Sequence, residues 1–305
     1  MSLGSSSRDH AAEVEWLGER FHIARRGTDG DFRRALAVLA ELDGQVDAIG
    51  LGGVDVYLYS RTQRYALRDG LKLMKAVKQT PVVDGSGLKN TLERRVVEQL
   101  KDQLSGKRVL MVCAMDRFGM AEALEAIGCQ VTYGDLIFAL DKDQPITSLP
   151  DLEAQADKLL PEVCKLPIGF LYPTGKQQEA PQPPEKVAQY AHYYEENEVL
   201  AGDFHFIRKY LPPLLSGQTV LTNTITARDV DDLRRRGVHR LITTTPELQG
   251  RSFGTNVLEA CLLALLGKRW EDVQPADYLR LIEALHLQPR VERLQNHLIG
   301  GRTHE

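Results

Sequence analysis

The sequence predicts an α/β protein, with an N-terminal α/β lobe followed by a six-stranded, doubly wound, Rossmann-like parallel sheet. Three observations predict it. Short apolar runs alternate with amphipathic stretches along most of the chain. Lys107–Asp135 reads as strand, loop, helix and strand, the length that opens a dinucleotide-binding fold, with an acid at the tip of its second strand. Six strand candidates follow from that point with helices between them, the count for two βαβαβ halves with strand order 3-2-1-4-5-6.

The N-terminal lobe is assigned to residues 1–105. Val14 with Trp16 and Phe21 with Ile23 alternate as strands do, and Gly18 between them marks a turn or a bulge. A helix opens near Asp31 on the stripe Phe32, Leu36, Leu39 and Ala40, and Asp43-Gly44 ends it. Ala48–Leu51 is a short strand. Val54–Tyr59 and Tyr65–Leu67 form a hairpin about Ser60–Gln63. Arg68–Lys78 is helical, Pro81–Val83 is a strand, and the strand empties into a loop, Asp84–Lys89. Asn90 and Glu93 read as a capping pair for a helix over Thr91–Leu104.

The sheet domain is assigned to residues 106–268. Its first strand is the apolar run Val109–Ala114, short enough to be buried on both faces. Met120, Ala121, Ala123, Leu124 and Ile127 make one helical stripe that stops at Gly128, and Cys129–Tyr133 is the second strand. Leu166–Tyr172 is the third strand, weakened by its proline and glycine, and a Gln/Pro-rich segment follows to Pro184. Val199–Ala201, Thr219–Thr222 and Leu241–Thr243 complete the six. Residues 269–305 add two helices, Pro275–Leu285 and Pro289–Leu298, expected to pack back on the N-terminal lobe.

Composition narrows the function classes. At 305 residues and 43% hydrophobic content the chain holds enough apolar surface for two cores. A net charge of −4 without a long basic block argues against nucleic-acid binding. No run approaches the length of a membrane span, and the first ten residues lack the apolar core of a secretory signal, so a cytoplasmic location is expected. Cys113, Cys129, Cys164 and Cys261 lie in or beside apolar runs without metal or redox spacing, which suits buried thiols. The eight histidines are scattered, so no metal is expected. A homo-oligomer is left open.

The candidate site residues cluster at strand ends. Laying the pattern G-x-G-x-x-G on the loop after the first strand puts Ala114, Asp116 and Gly119 at the glycine positions, with Arg117 and Phe118 between them. Asp135 then lies 21 residues after the first position, the spacing of an acid that binds a ribose. That predicts NAD, with NADP possible. Asp116 stands where backbone normally approaches a pyrophosphate, and its charge would repel the phosphates. Thr222, Asn223, Thr224 and Thr243 offer polar groups at the ends of the fifth and sixth strands. Lys89, with Asp84 beside it, is expected to stabilise negative charge on a substrate oxygen or to shuttle a proton. Ser86 and Asn90 flank it. Arg26, Thr28 and Asp29 precede a helix and either bind a substrate carboxylate or cap the helix. His205 lies near the same crevice.

The blocks RRGTDGDF, DAIGLGGVD, TPVVDGSGLKNTLERR, MDRFGMAEAL, YPTGKQQE, AGDFHFI, LTNTIT and TTTPELQGRSFGTN, spread over residues 25–260, resemble a prokaryotic family labelled quinate 5-dehydrogenase. That resemblance implies a substrate lobe first, a Rossmann lobe second, and hydride transfer between NAD(P) and a small hydroxylated, quinate- or shikimate-like acid. It also implies a catalytic lysine paired with an aspartate. Lys89 stands at the lysine position, with Asp116 or Asp84 as its partner. The family's glycine-rich loop is replaced here by Ala114–Gly119. Two rival readings keep the same cleft, namely a lyase or transferase using Asp116, and a non-catalytic sensor of a nucleotide or metabolite.

Overall fold

The computed structural model describes residues 1–171, 175, 180, 182–248 and 251–294, with the side chains of Leu248 and Arg251 left aside. The N-terminal lobe runs β1 (His10–Trp16), β2 (Glu19–Arg25), α1 (Phe32–Leu42), β3 (Ile49–Gly50), β4 (Tyr57–Tyr59), β5 (Arg64–Ala66), α2 (Arg68–Ala76) and β6 (Val82–Val83). β1 and β2 form an antiparallel hairpin turned by Leu17 and Gly18, both at positive φ, the geometry of a two-residue turn that matches strand twist. Asp31 caps α1 by accepting from the amides of Arg33 and Arg34. β3 and β6 pair in parallel, so their C-terminal ends open in the same direction.

Three helices lead out of this lobe: α3 (Ser86–Asn90), α4 (Leu92–Gln99) and α5 (Lys101–Leu104). Lys89 therefore sits on a helix rather than in the expected loop. Gly85 makes the turn at φ +94, and an added Cβ there would stand 2.6 Å from Thr255 Oγ1. The expected Asn90–Glu93 cap is not formed. Asn90 Nδ2 donates to Ser86 O, one turn back, and Glu93 is turned inward to Arg117.

The second half runs β7 (Arg108–Met111), α6 (Phe118–Ala126), β8 (Gln130–Tyr133), α7 (Asp135–Leu140), α8 (Leu149–Val163), α9 (Ile168–Leu171), α10 (Pro184–Glu195), β9 (Val199–Ala201), α11 (Phe204–Lys209), β10 (Thr219–Thr222), α12 (Ala227–Arg235) and β11 (Arg240–Thr243). It ends with β12 (Glu247–Leu248), β13 (Arg251–Ser252), α13 (Thr255–Leu266), α14 (Pro275–Ala284) and β14 (Arg290–Arg293). One six-stranded sheet is ordered β14-β11-β10-β9-β7-β8, parallel except for β14. The chain reverses its winding between β7 and β9, which places a crevice beyond the C-terminal ends of those strands.

Two expectations about this sheet are corrected. The third strand does not form, because residues 168–171 are helical with Pro167 just before them and the Ile168 amide held by Asp69. Proline donates nothing to a strand ladder but fits the start of a helix. The sixth strand is instead Arg290–Arg293, expected to be helical. It covers the outer edge of β11, and its Glu292 and Arg290 pair with Arg234 and Glu247. Four residues of mixed polarity carry too little periodicity to tell a strand from a helical turn. Tyr172–Thr174, most of the Gln/Pro-rich segment and residues 295–305 lie outside the described residues.

Apolar packing fills both faces of the sheet. Val109, Met111, Leu124 and Val131 pack on one side, and Leu110, Phe138, Tyr194 and Val220 on the other. The N-terminal lobe has its own cluster about Leu39, Leu51 and Leu73. α13 crosses between the halves, packing on β3, β6 and α3. Among the described residues no helix is long and apolar enough to cross a membrane, and all four cysteines are free and buried.

Candidate active site

A cleft of about 870 Å³ lies between the N-terminal lobe and the C-terminal ends of β9 and β10. Its walls are β2, the segment from Ala48 to Asp55, and the turns carrying Asp203–Phe206, Asn223–Thr224 and Phe253–Val257. The volume lies in the range of ligand sites. The first residues of the chain form part of the wall. The Ser2 amide donates to Arg26 O, the Leu3 amide donates to Gly52 O, and Arg8 reaches His205.

Ionised groups make up the floor. Lys89 is 3% exposed, and its Nζ contacts Asp116 Oδ1 and lies 2.6 Å from Asp55 Oδ1. Arg117, also buried, carries the charge further. Its Nη1 contacts Glu93 Oε1, its Nε lies 3.4 Å from Asp116 Oδ2, and its Nη2 lies 3.3 Å from Asp203 Oδ2. Two cations are thus set among four carboxylates, and Asp55, Lys89, Asp116, Arg117 and Asp203 all line the cleft.

This crowding tunes the groups. Burial alone would lower the Lys89 pKa, but Asp116 and Asp55 outweigh it and raise it, so Lys89 stays an ammonium. Burial and the negative charge of Asp55 push Asp116 up to about 7, against the pull of Lys89 and Arg117. A carboxyl that exchanges its proton near neutrality is suited to acid–base work. Burial also raises Glu93, opposed by Arg117.

The other expected site residues divide into those that face the cleft and those that hold the backbone. Asn223 and Thr224 line it, as does His205. Asp84 has its oxygens engaged: Oδ2 accepts from the amides of Val56 and Tyr57, and Oδ1 from Ser86. Asp84 borders the cleft as well, and these bonds brace the Lys89 turn. Ser86 and Asn90 are parts of the same brace. Thr28 is fully buried, its amide and hydroxyl both donating to Ser2 O, and Asp29 accepts from the amide and hydroxyl of Ser6. Arg26 stands at the rim, half exposed and paired with Glu41. Thr28 and Asp29 hold the N-terminal segment in place, where substrate contacts were expected, whereas Arg26 borders the cleft. Thr243 is likewise internal, donating to Thr245 O. Thr222 is fully buried, and its hydroxyl has no partner among the described residues.

The loop after β7 does not fit a dinucleotide's pyrophosphate. The amides of Ala114 and Met115 are taken by the two oxygens of Asp135, at 3.1 and 2.8 Å. Asp135 is therefore a brace inside the molecule, where a ribose-binding acid was expected. Phe118 is buried in the core. The start of α6 is covered by α3, since a Cβ on Gly119 would sit 3.1 Å from Asn90 Cα. The cavity lined by Met115, Asp116, Asp135 and Leu136 holds only about 60 Å³, far below the size of a nucleotide site.

Sequence reasoning missed Asp55, Glu93 and Arg8 as site residues. Asp55 had a signal, as an acid just after a strand and the pair Gly52-Gly53. Glu93 was hidden by its resemblance to a helix cap. Arg8, in a short polar stretch, had none. Among the described residues no group of His, Cys, Asp and Glu is arranged to hold a metal.

Residues 87–294 match the family described as Domain of unknown function (DUF8754), and the chain belongs to that family. Residues 1–84 match a second description, Domain of unknown function (DUF8753). The matches meet at the Asp84 turn, so the Lys89–Asp55 ion pair joins one matched region to the other. No curated protein matches the chain.

Proposed function

We propose that the protein is an enzyme that uses Lys89 and Asp116 for acid–base chemistry at an oxygen-bearing carbon of a small hydroxylated acid bound in the cleft. One observation carries this reading: a buried ammonium, gripped by two aspartates, lies on the floor of a polar cleft large enough for a metabolite. Perturbed carboxyls beside a cation in a cleft favour a functional site. Asp116 takes a proton from a substrate hydroxyl, or from the carbon beside a carbonyl. The Lys89 ammonium holds the negative charge that develops on the substrate oxygen. A fixed charge in a water-poor site stabilises that state more than the ground state.

The dehydrogenase of a quinate- or shikimate-like acid is a second reading, favoured by the Lys89–Asp116 contact, which has the lysine–aspartate pairing of that resemblance. The Rossmann-like strand winding agrees with it. The loop Ala114–Gly119 speaks against an ordinary nicotinamide site, so no step is assigned to that cofactor.

The test is turnover of a panel of hydroxy acids, beginning with quinate and shikimate, with and without NAD(P). Lys89→Met should reduce turnover about 10²-fold or more. It also leaves Asp55 and Asp116 unpaired, so rates are compared well below the variant's melting temperature. Wild-type turnover in the variant would remove Lys89 from the reaction. An absorbance change of NAD(P)H would select the dehydrogenase reading.

A further inference from the structure

His205 stands in the wall of the same cleft with a feature that the Lys89–Asp116 chemistry does not use. Its Nε2 lies 2.9 Å from Arg8 Nη1. A guanidinium has donors only, so Nε2 must be the acceptor and carry no proton. The proton of the neutral ring is then on Nδ1. That Nδ1 is buried and has no hydrogen-bond partner among the described residues. Asp203 does not take it: its Oδ1 accepts from the His205 backbone amide and its Oδ2 pairs with Arg117. A second unpartnered group lines the cleft. Asn223 is 5% exposed, its side-chain oxygen has no partner among the described residues, and its backbone oxygen is fixed by the Thr245 hydroxyl. A buried donor and a buried acceptor without partners are each costly until a ligand or water satisfies them.

We propose that the Nδ1–H of His205 and the side-chain oxygen of Asn223 form a recognition subsite that takes a hydroxylated carbonyl or carboxyl compound. His205 donates to the ligand's acceptor oxygen and Asn223 accepts from its hydroxyl. His205 is thereby a neutral donor rather than a base, because its one lone pair is spent on Arg8. The other charges facing it are Asp203, Asp229 and Arg208, and burial with Arg8 outweighs the two acids, lowering its pKa to about 4. The subsite rests on the reading of the cleft as a metabolite site, and it defines which end of the metabolite points away from Lys89.

Long-range ¹H–¹⁵N spectra of the imidazoles in the whole chain, assigned with His205→Phe, test it without needing turnover. The expected result is one histidine that keeps its proton on Nδ1 from pH 8 down to about pH 5.5 and shifts when quinate, a hydroxylated acid, or myo-inositol, a neutral polyol, is added. His205→Phe, which keeps a ring but no donor, should weaken binding of the responding probe at least tenfold. His205→Asn, whose amide reaches the Nδ1 position, should restore most of it. A response to inositol but not to quinate keeps the subsite and sinks the acid substrate proposed above. A proton on Nε2, an imidazolium at pH 6.5, indifference to both probes, or undiminished binding by His205→Phe would overturn the subsite.

Discussion

Asp116 follows β7 and Asp135 follows β8, and burial raises both, to about 7 and about 6. Their partners differ. Asp135 spends both oxygens on the amides of Ala114 and Met115, inside the molecule. Asp116 meets Lys89 and Arg117 at the edge of a cleft. A carboxylate satisfied by backbone inside the molecule fixes a loop. One satisfied by side-chain cations that themselves line a cleft can share those cations with a substrate. The difference teaches that an acid at a strand tip is not informative by position. What it faces decides its role.

The largest effect that sharpens this contrast is expected from Arg117→Met. It leaves Glu93 buried with no cation and removes one counter-charge from Asp116 and Asp203. Breaking such a pair costs about 3–5 kcal/mol, read as a lower urea midpoint with unchanged slope. A loss below about 1 kcal/mol would mean that the floor is solvated and that its charges are not held as described.

Asp135→Ala comes next. It strands two buried amides, at about 1–3 kcal/mol for each unmade bond, with relaxation of the loop reducing the sum. The variant should lose stability while any affinity for NAD or NADP stays as it was. A selective loss of NAD binding at wild-type stability would restore the ribose role expected from spacing and break the comparison.

The legible and illegible parts of the chain follow the same division. Val109 to Met111 and the stripe on α6 were readable because burial imposes a hydrophobic period. Lys89 and Asp116 were readable as site residues because α/β sheets gather chemistry at strand ends, but the choice between Asp116 and Asp84 as the partner of Lys89 stayed open. Asp135 was misread because a spacing of 21 residues fixes neither the direction of a side chain nor which amides lie free. Glu93 was misread because a capping pattern and an inward-facing partner of Arg117 have the same letters. β14 was missed because the need of β11 for an edge partner is a property of the folded sheet, not of residues 290–293.

The proposed chemistry needs Asp116 to be a carboxyl poised near neutrality by its neighbours. That requirement is tested most directly by titrating the Asp116 side-chain ¹³C resonance, assigned with Asp116→Asn. The predicted midpoint is about 7, and Lys89→Met should raise it further, because the attraction that favours the charged form is removed. The linkage has a definite sign. With the folded value above the unfolded one, the folded protein keeps a proton between about pH 4 and 7 that the unfolded chain has released. This group's contribution to stability therefore falls as pH rises through that window, and Asp116→Asn should flatten the fall. A midpoint near 4 that ignores Lys89→Met would contradict the claim and return Asp116 to the role of an ordinary ion-pair partner.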